Sequence, residues 1–327
     1  MHYLISSDLL IKDNEIALAD FSKRFFQDRI FVEFTDIDKA QLWVEGLGDK
    51  QKEEWSRLLQ QSVRLKSQYN MKKVYLAANK IRVIHNLAES KWDEVVELNL
   101  QDAQMVLDHS IMVGLENSRN DQAFLLALLP KKSRERFVEL VEKGRLAFVG
   151  GGGNGELKVQ LIGKAKNKAF RLLSWIMFDN DAKFPGDVSQ ATTELIDVCV
   201  TNKLNFHCLQ RRCIENYITL PIYQLAYPGV AGKKVESIFG LSEEQSKYFN
   251  FKKGFSNTKE DDHPVYSNLT PEQKKNLVKG FGDKLASEVY DNEHIRDQIH
   301  EIFKNSGVIA EFGDKLDHLE QLLGRPV

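Results

Sequence analysis

The chain has 327 residues, of which 42% are hydrophobic and 28% are charged. At about 150 residues per domain, this length suggests two domains or one α/β core with sizeable additions. The 7 prolines and 20 glycines are too few for a collagen-like, low-complexity or disordered chain. The 45 Lys and Arg nearly balance the 47 Asp and Glu, so any contact with nucleic acid must come from local basic clusters.

The cysteines and the apolar stretches indicate the cellular compartment. Cys199, Cys208 and Cys213 are odd in number and form no Cys-x-x-Cys pair, which argues against both a disulfide framework and a cysteine zinc site. No signal-peptide core is seen, and no stretch reaches the roughly 20 apolar residues that span a bilayer. These features predict a cytoplasmic protein without a membrane segment.

Residues 1–105 mix short β-like runs with polar helical stretches. The runs are at 29–34 and 73–77, and the clearest helical stretch is at 50–66. Together they predict a small N-terminal α/β module.

Residues 106–220 change to short, nearly continuous apolar runs separated by helical segments. This pattern is typical of a parallel sheet that is covered on both faces, with right-handed βαβ connections. The predicted strands are at 110–115, 146–149, 172–178 and 204–209, and the predicted helices at 121–144 and 189–202.

Residues 221–327 lose the strand pattern and predict a helical C-terminal region. The clearest predicted helices are at 271–290, 292–305 and 310–323, and a polar stretch at 256–264 predicts a loop.

Acidic residues follow two of the predicted strands directly. Glu116 follows the first strand of the second region, and Asp179 and Asp181 follow the third. Because open α/β sheets bind ligands at the carboxyl ends of their strands, we expect these carboxylates to converge. An all-oxygen set suits a hard divalent ion such as Mg²⁺ or Mn²⁺, and Asp121 and Glu215 would extend it. Any one of these acids alone would more often be a helix N-cap or a solvated loop residue.

A glycine-rich turn at 150–155 follows the second of these strands. It allows a sharp turn and a close backbone approach to a ligand. It lacks the Gly-Lys-Ser/Thr ending of a P-loop and fits a dinucleotide fingerprint poorly. A plain strand-to-helix loop and a role in shaping a site both remain open.

Taken in order, these features resemble a TOPRIM domain over about residues 106–255. The resemblance consists of Glu116 after a strand with Asp121 soon after, the glycine-rich turn, Asp179-Asn180-Asp181 after another strand, and Arg211-Arg-Cys-Ile-Glu-Asn-Tyr-Ile218. More narrowly, the set is similar to nucleases of the overcoming-lysogenization-defect (OLD) type and their relatives in phage defence. It departs from the usual pattern in having Asn117 where glycine is usual and Asp121 five positions after the glutamate instead of four.

The resemblance implies an α/β, TOPRIM-like (Rossmann-like), mostly parallel sheet flanked by helices, at 106–220. It assigns roles to three overlapping sets of residues. The implied catalytic residues are Glu116, Asp179, Asp181, Glu215 and Lys253. The implied metal ligands are Glu116, Asp121, Asp179, Asp181 and Glu215. The implied substrate contacts are Arg211, Arg212 and Lys252, with Lys253 preferred over Lys252 for the scissile phosphate.

The resemblance also implies an activity and partners. The expected activity is a Mg²⁺-dependent endonuclease acting on DNA or RNA, transfer RNA included, with one or two metal ions. Two ions about 3.5–4 Å apart can activate water and stabilise the leaving oxygen of an in-line displacement. The expected setting is an antiviral defence or toxin effector. Since the chain has no Walker A motif, the resemblance implies a separate ABC/OLD-type ATPase partner. A homo-oligomer is also left open.

Competing interpretations remain at this stage. One is a non-catalytic TOPRIM-fold binding subunit of a nucleic-acid-processing complex, and another is a primase-like nucleotidyl transferase, which would need triphosphate-binding elements that are not seen.

Two other acids are rivals for the strand-end glutamate. Glu45 lies in the string Val44-Glu-Gly-Leu-Gly-Asp49 but in a predicted helix, and Glu33 follows the run Arg29-Ile-Phe-Val32. For His207 a structural role is favoured over substrate contact.

Overall fold

The computed structural model describes residues 1–69, 80–93, 95–255 and 260–324. The fold is α/β, with two four-stranded sheets flanked by helices, and every strand pairing within the two sheets is parallel. This confirms the predicted fold class at the level of parallel sheets covered by helices. In the described residues no helix is both long enough and apolar enough to cross a membrane.

The first sheet occupies the N-terminal region and has the strand order β2-β1-β3-β4. Its strands are β1 (His2–Ile5), β2 (Phe31–Phe34), β3 (Lys80–Val83) and β4 (Glu97–Leu98). Its helices are α1 (Glu15–Phe26), α2 (Ile37–Glu45), α3 (Asp49–Tyr69) and α4 (Leu100–Asp108). The strand predicted at 29–34 and the helix at 50–66 are confirmed. The run predicted at 73–77 lies outside the described residues.

The second sheet has the strand order β6-β5-β7-β8. Its strands are β5 (Ile111–Leu115), β6 (Leu146–Gly150), β7 (Ser174–Phe178) and β8 (Phe206–Cys208). The helices between them are α5 (Asn120–Leu128), α6 (Lys131–Glu142), α7 (Asn154–Lys164), α8 (Lys168–Leu173) and α9 (Gln190–Thr201). All four predicted strands are present. Every residue of β7 is buried, as expected for a strand covered on both faces.

Two element boundaries in this region differ from the sequence prediction. The helix predicted at 121–144 is divided into α5 and α6 at Pro130, which has no N–H to donate and cannot continue a helix. The strand predicted at 172–178 begins only at Ser174. Leu172 and Leu173 complete α8, whose start is capped by the side chain of Asn167 accepting from the N–H groups of Ala169 and Phe170.

The C-terminal region is helical, and its described residues contain no strand. Its helices are α10 (Leu220–Ala226), α11 (Lys233–Phe239), α12 (Glu243–Tyr248), α13 (Pro271–Leu277), α14 (Leu285–Tyr290), α15 (Arg296–Asn305), α16 (Val308–Phe312) and α17 (Asp314–Leu322). The helix predicted at 310–323 is divided at Gly313, whose φ is 49°. The helix predicted at 292–305 begins only at Arg296. Residues 256–259 of the predicted loop lie outside the described residues, and two short 3-10 turns follow them.

The helix predicted at 271–290 is also divided, and the break has a structural reason. Between α13 and α14 the chain packs its backbone against an earlier turn, where the N–H of Phe281 donates to the carbonyl of Phe251 over 2.6 Å and that of Gly282 to the carbonyl of Lys252 over 2.9 Å. A Cβ at Gly280 would lie 2.4 Å from the Phe251 oxygen. The break therefore holds the turn that carries Lys252.

One hydrophobic cluster runs through all three predicted regions, from Tyr3 of β1 to Leu323 after α17. Near its centre, the ring of Phe124 on α5 contacts four aromatic rings at centroid distances of 5.2 to 6.4 Å, those of Tyr217, Tyr290, Phe303 and Phe312. The C-terminal helices are thus packed onto the second sheet through its first crossover helix. The boundaries 1–105, 106–220 and 221–327 stay predictions.

Candidate active site

The two acids that follow β5 and β7 lie at the same edge of the second sheet. β5 and β7 are neighbours, with Leu115 in register with Met177. Glu116 comes directly after β5, and Asp179 comes directly after β7. Both side chains are partly buried. The expected convergence of these two stretches therefore follows from the strand order.

The carboxyl groups at this edge act strongly on one another. Burial raises the pKa of Glu116 to about 7, with further contributions from Asp181 and Asp121. The pKa of Asp179 is raised well above its ordinary value, first by burial and then by the charges of Asp121, Glu116 and Glu215. Such mutual effects require close approach of the groups. These effects link all five acids that the sequence analysis proposed as metal ligands, Glu116, Asp121, Asp179, Asp181 and Glu215; we call these five residues the carboxylate cluster.

Asp121 holds the loop that carries Glu116. It is buried in the first turn of α5, and its Oδ2 accepts a hydrogen bond of 2.8 Å from the N–H of Asn117. Burial raises the pKa of Asp121 to about 7, although the hydrogen bond from Asn117 opposes this rise. Asp121 thus fixes the conformation of the residues after β5, and its role as a metal ligand stays a prediction.

Asp181 has a strained backbone that its neighbours stabilise. Its φ of 58° lies in the left-handed region, which non-glycine residues seldom adopt and which is enriched at functional sites. Its N–H donates to the carbonyl of Arg212 over 2.9 Å. The Nδ2 of Asn154 donates to its Oδ2 over 3.3 Å.

Asn154 is a site residue that the sequence analysis missed. It is the first residue of α7 and only 7% exposed, and its Oδ1 has no hydrogen-bond partner among the described residues. In the sequence, Asn154 is one residue of the glycine-rich turn at 150–155. The available signal was its position, because the first residue of a helix that follows β6 lies at the same sheet edge as Glu116.

Glu215 and Lys252 form an ion pair at the cluster. Glu215 is fully buried on the 3-10 turn Ile214–Tyr217, and its Oε1 lies 3.2 Å from Nζ of Lys252. Burial alone would lower the pKa of Lys252, but the charge of Glu215, followed by those of Cys213 and Asp179, raises it above its ordinary value. Lys252 therefore stays an ammonium ion beside the acids.

The structure places the two neighbouring lysines in different surroundings, and the contact of Lys253 with the scissile phosphate stays a prediction. Lys253 was preferred for the phosphate contact, but its side chain is exposed, and its backbone N–H donates to the side chain of Asn250 over 2.9 Å. Lys252 is the residue that points to the carboxylate cluster. The reason is the tight turn at 251–255, in which consecutive side chains point in different directions.

The two arginines predicted to contact substrate are both engaged within the protein. Arg211 donates to the carbonyl of Asn216 over 2.8 Å. Arg212 pairs with the buried Glu260 at 2.9 Å and donates to the carbonyl of Tyr248 over 3.1 Å. They hold the segment that carries Glu215 in place, and a contact of either residue with substrate stays a prediction.

The glycine-rich turn shapes the site, which is one of the two interpretations left open above. The N–H groups of Gly151 and Gly153 donate to the carbonyls of Leu115 and Glu116 over 3.1 and 3.2 Å. A Cβ on Gly150, whose φ is 97°, would lie only 2.3 Å from the Leu115 oxygen. Only glycine allows the turn to pack this closely against the loop of Glu116.

The donor set fits a hard divalent cation by its chemistry. Lys252 pairs with one of the five carboxyl groups, and Oε2 of both Glu116 and Glu215 is buried without a hydrogen-bond donor among the described residues. Carboxylate oxygens are the ligands that Mg²⁺ prefers. In their present positions, no three His, Cys, Asp or Glu side chains of the described residues are arranged to hold a metal ion. Closing the cluster around an ion therefore requires rotation of side chains.

The other candidates considered from the sequence lie outside the cluster. His207 is buried on β8, with its Nε2 3.1 Å from Glu311 and its ring stacked on Phe312, so it has a structural role. Glu45 is exposed at the end of α2, and Glu33 is buried in the first sheet with its own cationic partners. The three cysteines are free thiols.

The carboxylate cluster concentrates negative charge at one sheet edge, beside one fixed ammonium group. Such an edge can bind cations and, through them, an anionic substrate. Comparisons of the chain with family models, with curated proteins and with solved structures found no match.

Proposed function

We propose that this chain is a divalent-metal-dependent nuclease of the TOPRIM type, which hydrolyses phosphodiester bonds of DNA or RNA. One observation carries the proposal. Glu116 and Asp179 leave adjacent parallel strands at the same edge, and their carboxyl groups are coupled to those of Asp121, Asp181 and Glu215. The order of these features along the chain is the order that resembles OLD-type nucleases.

In this proposal the residues at this sheet edge divide three tasks: metal binding, positioning of the acids and attraction of the phosphate. Glu116, Asp179, Asp181 and Glu215 would hold Mg²⁺ or Mn²⁺, which when bound supplies Lewis-acid stabilisation of charge on the phosphate and lowers the pKa of water. Asp121 keeps the loop of Glu116 in position, and Asn154 keeps Asp181 in its strained conformation. Lys252 provides a fixed positive charge that attracts the phosphate backbone and limits repulsion among the acids.

The biological setting we propose is an antiviral defence or toxin effector whose activity is controlled by a separate ABC/OLD-type ATPase. It follows from the resemblance to OLD-type nucleases alone. The main competitor is a non-catalytic binding subunit with the same fold. The strained backbone of Asp181 and the unpartnered buried oxygen of Glu116 favour catalysis, because strain and unmet hydrogen bonding concentrate at active sites.

A cleavage assay tests the proposal. The purified protein is incubated with Mg²⁺ or Mn²⁺ and with plasmid DNA, single-stranded DNA or total transfer RNA, and cut ends are sequenced. We expect cleavage of at least one substrate, and a loss of roughly 100- to 1,000-fold in rate for Glu116→Gln. Glu45→Gln is the matched control, since it removes the same charge from an exposed glutamate in a similar local sequence.

A second measurement separates cleavage from binding. Mn²⁺ binding is followed by electron paramagnetic resonance for wild type, Glu116→Gln, Asp179→Asn and Asn154→Ala, and circular dichroism checks each fold. We expect the first two variants to lose binding and Asn154→Ala to weaken it by roughly 10- to 100-fold. Metal binding by wild type without cleavage of any substrate would favour the binding subunit over the nuclease.

A further inference from the structure

A cavity lined by both charged and apolar side chains lies at the opposite edge of the second sheet, near the amino ends of β5, β6 and β7. It has a volume of about 40 Å³ and lies where the two sheets meet the C-terminal helix. Four arginines from different parts of the chain line it together with a tyrosine, above an apolar floor of leucines. These polar residues are Tyr3, Arg24, Arg29, Arg136 and Arg145.

The arginines give this cavity an excess of positive charge. Arg24 pairs with Asp108, and Arg136 pairs with Glu139 at 2.7 Å. Among the described residues, neither Arg29 nor Arg145 forms an ion pair within 4 Å; Arg145 donates to the side chain of Gln27 over 3.5 Å, and the carboxylate whose charge acts on Arg29 is that of Asp108. Burial lowers the pKa of Arg29 to about 10, and the neighbouring positive charges of Arg24 and Arg145 add to this effect. Partly buried cations that lie close together repel one another, and a bound anion would relieve this repulsion.

Tyr3 adds an independent sign of a ligand. It is 0% exposed, its ring packs edge-on against Phe21, and its hydroxyl has no hydrogen-bond partner among the described residues. Burial raises the pKa of this hydroxyl, while the charges of Arg24 and Arg29, which line the same cavity, oppose the rise. Buried hydroxyls are almost always paired, and an unpaired one calls for an explanation.

We propose that this cavity binds a phosphate group, with the Tyr3 hydroxyl and the guanidinium groups of Arg29 and Arg145 as its ligands. Arginine is well suited to this task because its planar fork matches the oxygens of phosphate. The volume of about 40 Å³ exceeds the roughly 10–15 Å³ needed for one water molecule. It accommodates a compact oxyanion and excludes a nucleoside. The ligand is therefore inorganic phosphate or the terminal phosphate of a molecule that extends through the mouth.

The position of the site gives it a structural consequence. Tyr3 lies on β1, Arg29 lies two residues before β2, and Arg145 directly precedes β6. A bound phosphate would therefore link the first sheet to the second. A ligand that binds only the assembled fold stabilises it by mass action. The proposal is independent of the nuclease assignment, since it uses none of the acids at the carboxyl edge.

Binding of inorganic phosphate to the metal-free full chain tests the proposal. Isothermal titration calorimetry and thermal unfolding are measured with sodium phosphate, with sodium chloride at equal ionic strength as the reference. We expect phosphate to bind and to raise the unfolding temperature above the chloride reference. Tyr3→Phe, which keeps the ring, should weaken binding by roughly tenfold or more, since a hydrogen bond to a charged group is lost.

Charge variants provide the matched comparison. Arg29→Gln and Arg145→Gln are expected to abolish the phosphate effect, whereas Arg64→Gln, which removes an exposed charge on α3, should bind phosphate like wild type. Circular dichroism confirms that each variant is folded. If a nucleoside monophosphate competes with inorganic phosphate for the cavity, the ligand is the terminal phosphate of a larger molecule. If it does not compete, the ligand is the free phosphate ion. No phosphate effect beyond chloride, or equal affinity in all three arginine variants, overturns the proposal.

Discussion

Lys252 and Lys253 are adjacent in the chain but lie in different electrostatic surroundings. Lys252 is about one-third exposed and pairs with a fully buried glutamate, whereas Lys253 is exposed. A buried carboxylate that loses its partner keeps the penalty of burial. The two lysines therefore form a natural pair of test and control, with the same chemistry one residue apart.

We expect Lys252→Met to lower the free energy of unfolding at pH 7 by about 1–3 kcal/mol, because Glu215 stays buried without its cation. It should also reduce nuclease activity. Lys253→Met should leave both quantities close to wild type. Urea denaturation and the plasmid or transfer RNA cleavage rate measure the two effects, and equal effects of the two substitutions would contradict our account of the cluster.

The turn between β6 and α7 shows how one connection sets the geometry of a site. Gly150 and Gly151 have positive φ, and the turn is hydrogen-bonded to the loop after β5. α7 then begins with Asn154, which contacts Asp181 after β7. A single connection thus links the stretches that follow three neighbouring strands.

We expect Gly150→Ala to destabilise the protein by more than about 2 kcal/mol, because the left-handed backbone costs an alanine about 1–2 kcal/mol before any collision with the Leu115 oxygen. Gly163→Ala is the control. It lies in α7, where a Cβ would meet no atom within 4 Å, so alanine should be neutral or should stabilise by up to about 1 kcal/mol. Thermal or urea unfolding of both variants checks the contrast.

At the scale of the whole molecule, the buried acids of the two parallel sheets lie in different electrostatic surroundings. The second sheet collects acids that burial and mutual repulsion push towards the protonated form. In the first sheet, the buried Glu33 is surrounded by His2, Lys66 and Lys80 at 2.8 to 3.0 Å. Burial alone would raise the pKa of Glu33, but hydrogen bonds from these residues lower it well below its ordinary value.

Because the pKa of Glu33 is lowered, we expect its contribution to the free energy of unfolding to be lost in acid. Below its ordinary pKa of 4.5, the unfolded state binds this proton more readily than the folded state, so stability falls as pH falls. Glu33→Gln should remove about 2–3 kcal/mol at pH 7, and its difference from wild type should narrow as the pH falls from 4.5 towards 3. Urea denaturation from pH 7 to pH 3 measures both curves, and Glu45→Gln is the exposed control. Parallel curves for Glu33→Gln and wild type would contradict the prediction.

The sequence predicts the sheets well because their strands are nearly continuous apolar runs, a pattern that belongs to strands buried on both faces. The convergence of Glu116 with Asp179 follows from strand-end position alone. Helix ends were less predictable. Pro130 and Gly313 interrupt apolar patterns that continue on both sides of them, so periodicity alone does not reveal the break.

Contacts that depend on side-chain direction in turns could not be predicted. Neither periodicity nor spacing indicates that Lys252 points inward from the turn at 251–255 and Lys253 outward. The cavity of Tyr3, Arg29 and Arg145 joins residues far apart in the chain, and only the packing of one sheet against the other brings them together.

The continuous hydrophobic cluster also bears on the order of events during synthesis on the ribosome. Its members include Tyr3 on β1 and Leu319 on α17, so this cluster is complete only after both residues, more than 300 positions apart, have been translated. Lys252 likewise joins Glu215 from a later part of the chain. Under the proposed nuclease function, a nascent chain is therefore expected to stay inactive until these later residues have been synthesised.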